Sequence, residues 1–164
     1  AMLDSENPNR VILYLPSDKP LAAGRVYKLT VLSPMKDSMG NIAGVNREAT
    51  FNGSSSTESK PYISDAVIIA SDTIKVTMSR PIALSEQNIR ASNYTLEYID
   101  SGYLQTEIPL IVGYIDNKTL VLKFDTLDFN KEYTLKFNTL NDYSGLYTRT
   151  SSDGQNSIKV RLGK

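Results

Sequence analysis

The feature that most constrains this chain is a two-residue rhythm of apolar and polar side chains that returns along it many times. Successive side chains of a β-strand point to opposite faces of the sheet, so an apolar residue at every second position makes a strand with one buried face. In Thr73-Ile74-Lys75-Val76-Thr77-Met78 the apolar set is Ile74, Val76 and Met78. Tyr94, Leu96 and Tyr98 form a second set, and Leu120, Leu122 and Phe124 a third. Tyr133, Leu135 and Phe137 form a fourth, and Ile158, Val160 and Leu162 a fifth. Turn-forming Asn, Asp, Gly or Ser stands beside each run. Helical spacing does not outlast two turns; its best stretch is Ser85 to Ala91, opened by Ser85 with Glu86 in the first turn. Short strands separated by turn chemistry predict an all-β sandwich or barrel rather than a parallel sheet with crossover helices.

Composition then removes whole classes of function. Apolar residues make up 40% of the chain and charged ones 22%, which suits a folded core. Eighteen basic residues balance eighteen acidic ones, so no strong field holds a phosphate backbone and nucleic acid is not an expected partner. The longest apolar runs, Ala66 to Ala70 and Ile108 to Val112, fall far short of the ~20 residues that span a bilayer, so no membrane insertion is expected. Cysteine, histidine and tryptophan are absent. That removes disulfides, thiolate and imidazole metal ligands and the usual proton shuttles, and it suits a bacterial surface protein better than an animal extracellular domain. No signal-peptide pattern precedes Met2, and the chain is expected to be a segment cut from a longer one.

The polar stretch from Gly53 to Pro61 has little apolar surface to bury and ends on a proline, so residues 54–61 read as a linker. Beyond it, residues 62–164 hold enough strands for one complete immunoglobulin-like Greek-key sandwich of ~100 residues. A repeat explains the part before it. Asn9 to Tyr14 can be laid over Asn117 to Leu122, and each segment is followed by a leucine and, six residues on, a tyrosine: Leu21 with Tyr27, and Leu127 with Tyr133. The strands beginning at those tyrosines match in pattern, and Asp37-Ser38-Met39-Gly40 matches Asp142-Tyr143-Ser144-Gly145. Residues 1–53 are therefore expected to be the C-terminal half of another immunoglobulin-like unit.

Tyr27 and Tyr133 are candidates for a tyrosine corner, in which a ring buried under a sheet corner bonds upstream backbone through its hydroxyl; a plain half-buried strand tyrosine is the other reading. Asp37 to Asn41 gathers oxygens but lacks the carboxylate ladder of a calcium loop, and Asp4, Asp116, Asp125 and Asp128 read as turn carboxylates, so no metal or cofactor is expected. Glycosidase chemistry needs two carboxyls ~5–9 Å apart across a cleft. The chain has no cleft-forming insertion, nucleophile elbow or phosphate loop, so no catalytic residue is expected. Tyr98 and Tyr103 flank Asp100-Ser101-Gly102, while Tyr143 and Tyr147 bracket Ser144-Gly145. If exposed, these four rings could stack on sugar, which keeps a glycan-binding or adhesion module as the alternative function.

The segments LAAGRVYKLTV with MKDSMGN, and DNKTLVLKFDTLDFNKEYTLKF with LNDYSG, resemble the closing strands of bacterial immunoglobulin-like domains of S-layer and other cell-surface proteins. PYISDAVIIASDTIKVTMSRPI with SNYTL resembles the opening strands of the same family. Fibronectin type III modules share the tyrosine pattern and are the second choice. The resemblance implies a spacer, lattice-forming or adhesion role at the bacterial surface or cell wall, with neighbouring domains of the same protein as partners. Residues 1–53 also carry strand edges that invite other strands. They either fold back on the complete sandwich or exchange with another chain, and self-association is favoured because a seven-strand sandwich already has its faces filled.

Overall fold

The alternating runs supply the inner faces of two sheets that share one core. In the computed structural model, which describes residues 1–4, 7–16, 18–32, 34–42, 47–53, 60–148 and 156–163, the strands in chain order are β1 (Met2–Leu3), β2 (Val11–Ile12), β3 (Val26–Thr30), β4 (Glu48–Asn52), β5 (Ile63–Ala70), β6 (Thr73–Met78), β7 (Tyr94–Asp100), β8 (Tyr103–Glu107), β9 (Ile111–Tyr114), β10 (Thr119–Lys123), β11 (Tyr133–Phe137), β12 (Ser157–Lys159) and β13 (Arg161–Leu162). One sheet has the order β13-β5-β6-β10-β9 and the other β12-β11-β7-β8. All neighbours are antiparallel except β13, which runs parallel to β5. Ile74, Val76, Met78, Leu120 and Leu122 from the first sheet and Tyr94, Leu96, Tyr133, Leu135 and Phe137 from the second belong to a single buried cluster. The fold is an all-β sandwich.

Two expectations change at the level of the element. Ser85 to Ala91 forms isolated turns, closed by the Asn88 N–H on the Ser85 carbonyl and the Arg90 N–H on the Gln87 carbonyl, and runs into a short 3-10 helix, Ala91–Asn93; no α-helix occurs among the described residues. The fifth apolar set is divided. Ile158 and Val160 pack against the core, whereas Leu162 is 53% exposed. The cause is a change of sheet: β12 pairs with β11, the Val160 N–H is bonded to the Tyr133 carbonyl at 2.9 Å, and β13 then pairs with β5 in the opposite sheet. At an edge strand of two residues, no further strand among the described residues covers Leu162.

The chain divides into two compact units, Ala1–Ser17 with Ser59–Lys164, and Asp18–Glu58. These limits differ from a boundary at residues 53 and 54, because the first residues are held within the larger unit. There the Asp4 carboxylate is paired with the Arg10 guanidinium, closing the β1–β2 hairpin. Tyr14 lies 5.1 Å from the Tyr143 ring, and Asn117 Nδ2 donates to Met2 Sδ at 3.8 Å. Of the expected linker, residues 54–59 lie outside the described residues. The smaller unit is a two-stranded antiparallel sheet of β3 and β4, with the Tyr27 and Phe51 rings stacked at 5.9 Å.

Candidate functional site

The residues that the sequence marks as special hold backbone in place. Tyr133 is buried with its ring edge-on to Tyr98 at 5.2 Å, and its hydroxyl accepts the N–H of Asp128, five residues upstream, at 2.9 Å. In the smaller unit the Tyr27 hydroxyl accepts the N–H of Ala22, again five residues upstream, at 2.8 Å. Downstream the likeness continues bond for bond. Asp142 Oδ1 accepts the N–H groups of Ser144 and Leu146, both at 2.8 Å, and Asp37 Oδ1 accepts those of Met39 and Asn41 at 2.9 and 2.8 Å. In both turns the fourth residue is a glycine at positive φ, +80° at Gly145 and +86° at Gly40, a region closed to most side chains. The bridges Asn141 to Tyr147 and Lys36 to Ile42 flank the two turns at matching positions. The Asn41 side-chain amide, followed by the backbone N–H groups of the turn, holds the Asp37 carboxyl below the usual carboxylate range.

A buried polar network not foreseen from the sequence ties the loops at one end of the sandwich. Asn88 is fully buried; its Nδ2 donates to the carbonyls of Ala83 and Asn141, both at 2.8 Å, and its Oδ1 accepts the Asn141 N–H at 3.0 Å. The Tyr94 hydroxyl donates to the Asn88 carbonyl at 2.7 Å, and burial raises its pKa far above the ordinary phenol value. Asp142 is buried beside this network, with Oδ2 3.2 Å from Arg80 Nη2. Thr148 Oγ1 accepts the Leu140 N–H at 2.9 Å. In a linear reading Asn88 is one turn asparagine among many, because its partner Asn141 lies 53 residues away.

The four tyrosines proposed as ligand-facing do not share one environment. Tyr98 is half-buried against Tyr133, donates to Glu107 Oε1 at 2.5 Å, and has the Lys131 ammonium 4.9 Å above its ring. The Glu107 carboxylate is the main reason its pKa is pushed up to about 12. Tyr143 leans on Tyr14, and its hydroxyl accepts the Leu84 N–H at 3.3 Å. Tyr103, 74% exposed, and Tyr147, 53% exposed, are the two open rings. They stand on different elements, β8 and the loop between β11 and β12. The Asp65 carboxylate is likewise occupied, in a two-bond pair with Arg161 at 2.9 and 2.5 Å that lowers its pKa. Among the described residues no three His, Cys, Asp or Glu side chains gather as a metal site, and no helix is long and apolar enough to cross a membrane.

No protein-family model and no curated protein matches the sequence. Two solved structures share its fold. The N-terminal part of the bacterial S-layer protein SbsC is 20% identical over 62% of this chain and 23% of that one, with a TM-score of 0.51. The S-layer protein rSbsC(31-844) is 20% identical over 64% of this chain and 14% of that one, with a TM-score of 0.52. The chain thus spans less than a quarter of either S-layer structure. The shared property is a β-sandwich architecture.

Proposed function

We propose that this chain is a non-catalytic structural module of an S-layer-type bacterial surface protein, working outside the cell as a spacer or assembly unit of the immunoglobulin-like kind. The observation that carries the reading is what the buried polar side chains do. Asn88, Asp142 and Thr148 are all bonded to loop backbone, and the tyrosine hydroxyls at positions 27 and 133 are tyrosine-corner staples. Such bonds stiffen the ends of a sandwich, where a pulled or packed module would otherwise fray. The fold shared with segments of an S-layer protein supports the same reading. Leu104, Ile108, Leu110 and Ile111, all more than half exposed along the β8–β9 side, supply apolar surface of the sort that packs against neighbouring units.

The test is mechanical and chemical together. Held between two handles and stretched, the sandwich is expected to resist and then unfold in one all-or-none step, and Asn88→Ala is expected to lower the force at which it yields. A hydrolase or transferase activity of the chain that one point substitution abolishes would overturn the reading. A glycan-binding role has less to rest on, since two of its four tyrosines are committed to Glu107 and Leu84.

A further inference from the structure

The β3–β4 hairpin and the β11–β12 hairpin are built to one register. In the larger unit Thr134, Leu135 and Lys136 stand opposite Lys159, Ile158 and Ser157. In the smaller unit Lys28, Leu29 and Thr30 stand opposite Thr50, Ala49 and Glu48. The closing bonds correspond as well: the Phe137 N–H reaches the Asn156 carbonyl at 2.9 Å, and the Val31 N–H reaches the Arg47 carbonyl at 2.8 Å. With Tyr27 standing where Tyr133 stands, each position of β3 has a counterpart in β11.

The two strands differ on their other edge. β11 is flanked there by β7, whereas among the described residues β3 pairs with β4 alone. Alternate residues of an antiparallel strand bond to opposite sides. Residues 25 and 31 bond toward β4, so the N–H and C=O groups of Lys28 and Thr30 face the edge that no described strand occupies. An unpaired edge of this kind takes up an extended peptide by strand addition.

We infer that the free edge of β3 is an acceptor site for an antiparallel strand of the β7 type, supplied by a second polypeptide segment with apolar residues at alternate positions and an acidic residue between two of them. The larger unit specifies the occupant. β7 places Tyr98, Leu96 and Tyr94 opposite Tyr133, Leu135 and Phe137. Transferred to β3, the same strand sets them opposite Tyr27, Leu29 and Val31, all apolar or aromatic. Glu97, which faces Thr134, then stands opposite Lys28. That match brings opposite charges together, and Lys28 already holds Glu48 at 2.6 Å on the solvent side. A folded second copy does not supply this strand, because both edges of its β7 are already taken by β11 and β8.

The experiment adds a synthetic peptide of residues 93–100, spin-labelled at its N-terminus, to the full 164-residue chain and follows the amides by NMR. Expected are about tenfold slower hydrogen exchange at Lys28 and Thr30, and broadening by the label that is greater at Val31 than at Val26. A Leu96→Lys peptide should not bind. Lys28→Glu in the chain should weaken binding, and Glu97→Lys in the peptide should restore it. Both substitutions are on exposed or added strands, so the charge exchange reads the register even if the hairpin is loosened. Absence of binding, binding at the β8 edge, or binding indifferent to the charge exchange would overturn the inference. So would protection of Lys28 and Thr30 in the free chain through a dimer that pairs β3 with β3.

Discussion

A hydroxyl bonded to backbone and a buried amide bonded to backbone are different commitments, and the two kinds of staple in this protein should be told apart by substitution. Tyr133→Phe removes one bond to the Asp128 N–H, and a typical hydrogen bond contributes ~1 kcal/mol. Asn88→Ala strands the Asn141 N–H and takes one donor from each of the Ala83 and Asn141 carbonyls, which keep their other donors, and the three lost bonds should together cost about 2–4 kcal/mol. Urea denaturation of the two variants checks the order, and an Asn88→Ala change smaller than that of Tyr133→Phe would refute it. Titration reads a second residue-scale feature. Tyr98 should ionise near pH 12, above the ordinary phenol value, and the step near that pH in tyrosinate absorbance should vanish in Tyr98→Phe. Asp65 works in the other direction. Its carboxyl is lowered from 3.8 by Arg161, so its contribution is complete above the unfolded-state value and is lost as pH falls through the lower folded-state one. Asp65→Asn should therefore flatten the acid limb of the stability profile, as urea midpoints on either side of that range would show.

Strands of similar sequence differ here by how many neighbours they have. β6 and β10 lie inside a five-stranded sheet over the core, whereas β3 and β4 form a pair whose side chains are mostly exposed, Val26 to 71%. A two-stranded sheet is marginal in water. Leu122→Ala on β10 should cost ~2–5 kcal/mol, while Leu29→Ala on β3 should cost under ~1 kcal/mol. The same contrast should appear in hydrogen exchange, with β3 amides exchanging well ahead of those of β6. Equal protection in the two hairpins would show that β3 is covered in the free chain.

The molecule as a whole joins a cored unit and a hairpin unit, and heat should separate them. Unfolding of a cored unit of this size absorbs about 85 kcal/mol, against about 115 kcal/mol if all 164 residues melted together. A calorimetric peak near the smaller value is expected. Much of this protein was legible in advance because the relevant physics is local. Alternation selects strand and buried face over six residues, a tyrosine reaches backbone five residues back, and an Asp-x-x-Gly turn closes on itself, so these signals survive in a linear reading. Partners far apart in sequence were not legible. Asn88 finds Asn141, Arg80 finds Asp142, Val160 marks a change of sheet, and residues 1–17 join the larger unit. Those choices depend on which surfaces remain uncovered once the sheets have closed, and only the tertiary structure decides that, because burial is a property of the whole packed core and not of any one stretch of chain.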